Sequence, residues 1–340
     1  MHVIVTGAAG FIGSHTCERL VAAGHRVTGI DAFDGYLYPA EIKRANAAEL
    51  ARLPGDQFQL VTADICDRAA MERAIGPDVD VVCHLAALAG VRPSLDEPLR
   101  YLRTNIEGTG VIIERMRALG LGRLVFASSS SVYGIRGVQG VQGAQGDQPD
   151  ATADVVAFHE DDPCLQPASP YAATKRMNEL QLSTYRDLFG LGVFALRFFT
   201  VYGPRQRPDM AIAKFVHAIA RGTPITLFGD GTSRRDYTFI EDIVSGVVSA
   251  IERIEPGRYE LYNLGGTQTL SLGDLVATIE RVVGKSAIIE RRPLQPGDVP
   301  VTYANVDRAR AALGYTPTTP PEIGIARYWE WLRSSGRLMS

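Results

Sequence analysis

The chain has 340 residues, 46% of them hydrophobic and 21% charged, with a formal net charge of -3. Such a composition is that of a globular protein and excludes a disordered one; arginine is spread along the sequence rather than gathered in a basic run, so no nucleic-acid partner is expected. No apolar run reaches the roughly 18 residues of a membrane span, and the start lacks the basic segment of a signal peptide, so no membrane association and a cytoplasmic location are expected.

The first element is His2-Val3-Ile4-Val5-Thr6, a short β-branched run that predicts a buried strand. A glycine-rich turn follows, then helical spacing from Ile12 to Ala23. Further strands are expected from Arg26 to Ile30, Gln57 to Val61, Asp80 to His84 and Arg123 to Ala127, with helical stretches between most of them. Strands that are apolar nearly throughout and alternate with helices imply a parallel sheet covered on both faces. The expected fold is therefore α/β: a Rossmann-type doubly wound parallel sheet with a smaller C-terminal α/β lobe that holds the substrate.

Cys17, Cys66, Cys83 and Cys164 are widely separated and show no metal-ligand spacing, so they are expected to be reduced thiols, with no metal site. Two long amphipathic helices are predicted, from about Pro98 to Leu119 and from about Ser169 to Phe189. Their apolar faces either form a helix-bundle interface in a homodimer or simply cover the sheet. Between them, Val138-Gln139-Gly140, Val141-Gln142-Gly143 and Ala144-Gln145-Gly146 mark residues 135–157 as a low-complexity loop, since glycine at every third position opposes helix and strand alike. It is either a lid over the site or a tolerated surface insertion. After about Thr200 the texture changes, with more Pro and Gly. The expected division is a dinucleotide-binding domain over 1–200 and a substrate lobe over 201–340, with about 236–265 returning to the main sheet.

The segment Thr6 to Gly13 places Gly7, Gly10 and Gly13 between a strand and a helix. Glycines there let backbone amides approach a pyrophosphate, and Phe11 and Ile12 open the helix whose N-terminus faces it. Asp31 ends the second strand roughly 20 residues on, where a carboxylate takes the adenine ribose hydroxyls. It would repel a 2'-phosphate, and Ala32 and Phe33 offer no cation, so NAD is expected rather than NADP. Asp64 and Ile65 follow the third strand where the adenine would lie. His84 reads as a satisfied core histidine, and Leu85, Ala86 and Ala87 allow close passage of the cofactor; Asn105 on the long helix is a further expected cofactor contact. Tyr171 and Lys175 stand at one-turn helical spacing, so both project from one face. A tyrosine is a poor base at neutral pH, and a neighbouring ammonium together with an oxidised nicotinamide would lower its pKa. Ser128-Ser129-Ser130-Ser131-Val132-Tyr133-Gly134 follows the fifth strand, at the carboxyl edge where ligands bind in open α/β sheets.

Together the glycine turn, Asp31, the serine run and the Tyr171/Lys175 pair resemble the extended short-chain dehydrogenase/reductase family, and the second half is similar to its nucleotide-sugar epimerases, so the likeness spans almost the whole chain. It implies NAD as cofactor and a UDP-sugar as substrate, with Tyr171, Lys175 and Ser129 catalytic and Ser129 and Ser130 touching the sugar. Dehydratases of the family carry Asp-Glu, and decarboxylases a Glu, where Ser130 and Ser131 stand here, which favours an epimerase. The strings from Arg197 to Met210 and from Gln295 to Asp298 are similar to those of UDP-glucuronate 4-epimerases, which use NAD to interconvert UDP-glucuronate and UDP-galacturonate through a transient 4-keto sugar. A planar guanidinium can clamp a C6 carboxylate bidentately. Arg207 with Thr200 is the expected clamp, with Arg205 its competitor. By the same resemblance Arg235 would bind the diphosphate, Asp298 the uridine ribose, and Thr226 to Phe228 the uracil edge. Epimerases of UDP-galactose/glucose, UDP-pentoses or UDP-N-acetylhexosamines stay open, as do a decarboxylase, a dehydratase and a non-catalytic NAD-binding protein.

Overall fold

The computed structural model describes residues 1–134, 157–266, 268–293 and 301–338. The expected loop over 135–157, apart from Ala157, lies outside them, as does the segment holding Gln295 and Asp298. In chain order the N-terminal half runs β1 (His2–Thr6), α1 (Phe11–Ala22), β2 (Arg26–Asp31), α2 (Ala40–Leu50), β3 (Phe58–Thr62), α3 (Arg68–Ala74), β4 (Val81–His84), α4 (Val91–Asp96), α5 (Pro98–Tyr101), α6 (Gly108–Leu119), β5 (Arg123–Ser129), α7 (Pro170–Phe189) and β6 (Gly192–Phe198). Then follow β7 (Thr200–Tyr202), α8 (Ala211–Arg221), β8 (Pro224–Phe228), β9 (Arg234–Phe239), α9 (Ile240–Arg253), β10 (Tyr259–Leu264), β11 (Thr269–Ser271), α10 (Leu272–Val283), β12 (Ile288–Arg292), α11 (Asp307–Leu313) and α12 (Pro321–Ser334).

A seven-stranded sheet in the order β10-β6-β5-β4-β1-β2-β3 forms the centre, every neighbouring pair parallel. This is the Rossmann-type doubly wound α/β fold. The reason lies in the strands themselves: Val3, Ile4 and Val5 are all fully buried, as only a strand covered on both faces can be. Alternate residues feed opposite layers, with Val3, Val5, Cys17 and Leu20 in one core and Ile4, Ile30, Ile112 and Met116 in the other. The strand order reverses between β1 and β4, opening a crevice at their carboxyl ends.

Two expected segments carry detail that the sequence did not announce. Of the segment 236–265, only β10 enters the main sheet, beside β6; β9 instead pairs with β7 and β11 in a separate three-stranded sheet. The helix expected over about Pro98–Leu119 is helical throughout, but Leu102–Glu107 forms a π-helical turn between α5 and α6. Its wider loop turns Asn105, 1% exposed, into the interior. By contrast α7 begins and ends as its sequence dictates: Ser169 Oγ accepts from the Ala172 amide at 3.1 Å, Pro170 fills the first turn, and Gly190 closes the helix left-handed at φ 69°.

Candidate active site

A cavity of about 590 Å³ follows the crevice from the glycine turn to α7. At its inner end the turn is packed backbone on backbone. A Cβ on Gly13 would lie 2.0 Å from the Gly7 carbonyl oxygen, and one on Gly7, at φ +71°, 2.9 Å from the Ala86 amide nitrogen. Gly7, Gly10, Phe11, Ile12 and Gly13 all line the cavity, as do Asp31 and, after β3 and β4, Asp64, Ile65, Leu85, Ala86 and Ala87. Asp31 accepts from the Ala9 amide at 3.0 Å and the Phe33 amide at 2.8 Å, which fixes its carboxylate at the end of β2. A glycine turn with no side chain larger than a methyl, opening a helix and with a carboxylate beside it, fits a dinucleotide.

Asn105 does not line this cavity. Its amide bonds both the N–H and the carbonyl of Leu88, at 2.8 and 3.0 Å, and donates to Thr174 Oγ1 at 3.0 Å, so it couples the segment after β4 to α7. His84 is a core histidine with both ring nitrogens engaged, by Thr6 at 2.7 Å and Thr109 at 3.0 Å, and burial drives its pKa down to about 3. Lys43, which the sequence reading did not weigh, also lines the cavity, with its ammonium donating to the Asp34 carbonyl at 2.9 Å.

Ser129, Tyr171 and Lys175 converge on the cavity from the end of β5 and the first turns of α7. Ser129 Oγ accepts from the Ser131 amide at 3.2 Å and from Ser131 Oγ at 2.9 Å. The Ser129 hydroxyl acts on the Tyr171 phenol in the direction that favours the phenolate. Burial nevertheless raises the Tyr171 phenol above its ordinary value, opposed by Ser129 and by the positive charge of Arg207. Lys175 lies fully buried with Nζ donating to the Ala127 carbonyl at 2.6 Å; burial pulls its pKa down to about 7, against the opposing pull of Glu179.

The cavity is also lined by Ser130, Thr200, Arg207 and Arg235. Arg207 is held side-on by Asp209, through Nε at 3.0 Å and Nη2 at 2.5 Å, and stands 6.0 Å from the Tyr38 ring. Arg205 points elsewhere, onto Glu18 and Glu49, and is no part of the lining. Thr226 and Phe228 sit on β8 and do not line the cavity either; Phe228 carries the Arg92 guanidinium 5.2 Å from its ring centre, and Arg92 does line it. Arg92 escaped the sequence reading, though Gly90 followed by Pro93 signals a helix start at the sheet's carboxyl edge.

Residues 3–265 match the NAD dependent epimerase/dehydratase family. The chain is 38% identical to a probable UDP-glucuronate 4-epimerase of Rhizobium meliloti, over 97% of this chain and 96% of that protein. It is 37% identical to the UDP-glucuronate 4-epimerase of Thermodesulfobacterium geofontis, over 99% and 98%. Among solved structures, that of the Bacillus cereus UDP-glucuronic acid 4-epimerase in complex with UDP-glucuronic acid and NAD superposes with a TM-score of 0.85 at 35% identity, covering 98% of this chain and all of that one. With its glycine turn, Asp31 and the Ser129/Tyr171/Lys175 cluster on one crevice, the chain belongs to the NAD dependent epimerase/dehydratase family.

Proposed function

We propose that the protein is an NAD-dependent 4-epimerase that interconverts UDP-glucuronate and UDP-galacturonate through a 4-keto intermediate. The observation that carries this reading is the meeting, in one cavity, of Ser129, the Tyr171 phenol and the Arg207 guanidinium. The glycine turn, Asp31, Asp64 and Ala86 would hold NAD, and the chemistry it supplies is reversible acceptance of the C4 hydride. Tyr171 removes the C4 hydroxyl proton, Ser129 stabilises the oxygen that develops charge, and Lys175 anchors the helix that presents Tyr171. Redelivery to the opposite face of C4 gives the epimer, with no net redox change.

A 4-keto uronate is a β-keto acid, which loses carbon dioxide when the C5–C6 bond lines up with the carbonyl π-system. Arg207 and Thr200 hold the carboxylate out of that alignment, and Arg235 binds the diphosphate. A homodimer is proposed through α5–α6 and α7, where Leu99, Leu102, Met177, Leu180 and Leu188 stand exposed. A cytoplasmic location fits the four free thiols, and among the described residues no helix is long and apolar enough to cross a membrane. Product analysis by NMR with UDP-glucuronate tests the proposal: accumulation of UDP-galacturonate supports it, and turnover confined to UDP-sugars lacking a C6 carboxylate overturns it.

A further inference from the structure

The turn that precedes Arg207 is fastened, outside the cavity, to two helices of the cofactor half, α1 and α2. Arg205 has φ 63°, a left-handed conformation that a side chain of its size keeps only where its surroundings impose it. Its Nη2 donates to Glu18 Oε1 on α1 at 2.6 Å and to Glu49 Oε2 on α2 at 2.8 Å, and its side chain is only 9% exposed. One residue earlier, the Pro204 carbonyl accepts from His15 Nε2 on α1 at 2.9 Å. The network continues to the glycine turn itself. Arg337 donates to Glu49 Oε1 at 3.3 Å and to Asn46 Oδ1 at 2.9 Å, and the Asn46 amide donates to the Ala9 carbonyl at 3.0 Å. A chain of bonds therefore joins the cofactor turn, through Asn46, Arg337, Glu49 and Arg205, to the backbone two residues before Arg207.

We propose that Arg205 is a positioning residue: by pinning the turn at 203–206 to α1 and α2 it fixes the direction from which Arg207 enters the cavity, and with it the hold on a substrate carboxylate. The inference rests on reading the cavity as a UDP-uronate site. Arg205 touches neither substrate nor cofactor, since it lies outside the lining; it acts through Arg207. When the clamp is slack, the 4-keto uronate breaks its C5–C6 bond. The electron pair forms the C4–C5 enolate, the carboxyl carbon leaves as carbon dioxide, and the enolate takes up the proton released when the C4 alcohol was oxidised. UDP-glucuronate and NAD thus become a UDP-4-keto-pentose, carbon dioxide and NADH, in balance.

Arg205→Gly separates the ion pairs from the backbone, because glycine keeps the left-handed turn at no steric cost. With UDP-glucuronate the variant is expected to raise KM and to increase the decarboxylated share of product about tenfold, within the ~100-fold that a misplacement of about 1 Å can cost. Inhibition by UDP and bound NAD per chain should stay as in wild type, and Arg205→Lys should restore part of the selectivity. Unchanged KM and product share overturn the proposal, as does a loss of turnover accompanied by loss of bound NAD at unchanged product share, which marks a merely structural role. Should Arg205→Gly not fold, Glu18→Gln and Glu49→Gln, both outside the cavity, are read in the same way. A wild-type enzyme that ignores UDP-glucuronate altogether overturns the functional reading instead, so the two failures are distinguishable.

Discussion

Lys175 donates its ammonium to the backbone carbonyl of Ala127 at 2.6 Å, so the helix that carries Tyr171 is tied to the strand that carries Ser129. Burial lowers the Lys175 pKa from 10.5 to about 7.

A signed pH dependence follows. Above pH 7 the unfolded chain keeps a proton on this lysine that the folded chain gives up, so the penalty for burying the charge is full below about pH 7 and fades as pH approaches 10.5. The stability of wild type minus that of Lys175→Met should rise between pH 7.5 and 9.5 by about 1.4 kcal/mol per pH unit at most. Urea unfolding of both proteins at matched pH measures it, and the subtraction removes the thiols that titrate in the same window. A flat difference would show that Lys175 holds its proton throughout.

Much of this site was legible because local and global signals agree there. The glycine turn between a β-branched strand and an amphipathic helix has one physical reading, and Tyr171 and Lys175 share a helix face by geometry alone. What stayed hidden depends on packing across the chain. The π-helical turn exists to bring Asn105 to Leu88 and Thr174, neighbours that spacing does not reveal. Arg205 and Arg207 look interchangeable in sequence, and only the folded turn sends one to Glu18 and Glu49 and the other to Asp209 and the cavity. Thr226 and Phe228 are placed by the pairing of β8 with β12, a contact between distant strands that no local pattern announces.

Gly13→Ala should abolish cofactor retention. The added methyl would sit 2.0 Å from the Gly7 carbonyl oxygen and 3.0 Å from the Ala8 Cα, both backbone atoms that cannot swing away. The turn must open, and the amides facing the pyrophosphate lose their geometry. Nicotinamide released from denatured protein should fall close to zero per chain, against retention in wild type, and added NAD should not restore turnover.

Glu179→Ala should be among the costliest single changes in the chain. Glu179 and Arg197 are 0% and 1% exposed and bond side-on, Nε and Nη2 each donating to a carboxylate oxygen at 2.9 Å, while Ser128 Oγ donates to the same carboxylate at 2.6 Å. Removing the acid strands a buried guanidinium, at about 3–5 kcal/mol. Glu322→Ala, which frees an Arg281 that is 58% exposed, should shift the denaturation midpoint far less. Equal shifts in the two variants would mean that Arg197 finds another partner.

Tyr171→Phe should remove nearly all turnover while leaving NAD and UDP-sugar binding in place. Ser129 and the charge of Arg207 both favour the ionised form of the phenol, so its loss takes away the base and leaves the cavity walls intact. A positioned general base contributes about 100- to 10,000-fold, and turnover should fall at least that far. Ser129→Ala keeps the phenol but removes a donor that favours its ionised form, so the activity that remains should need a higher pH. The test is the pH profile of kcat for each variant. A Ser129→Ala profile whose rising limb coincides with that of wild type would mean that the serine does not set the ionisation of Tyr171, and that Arg207 alone opposes the effect of burial.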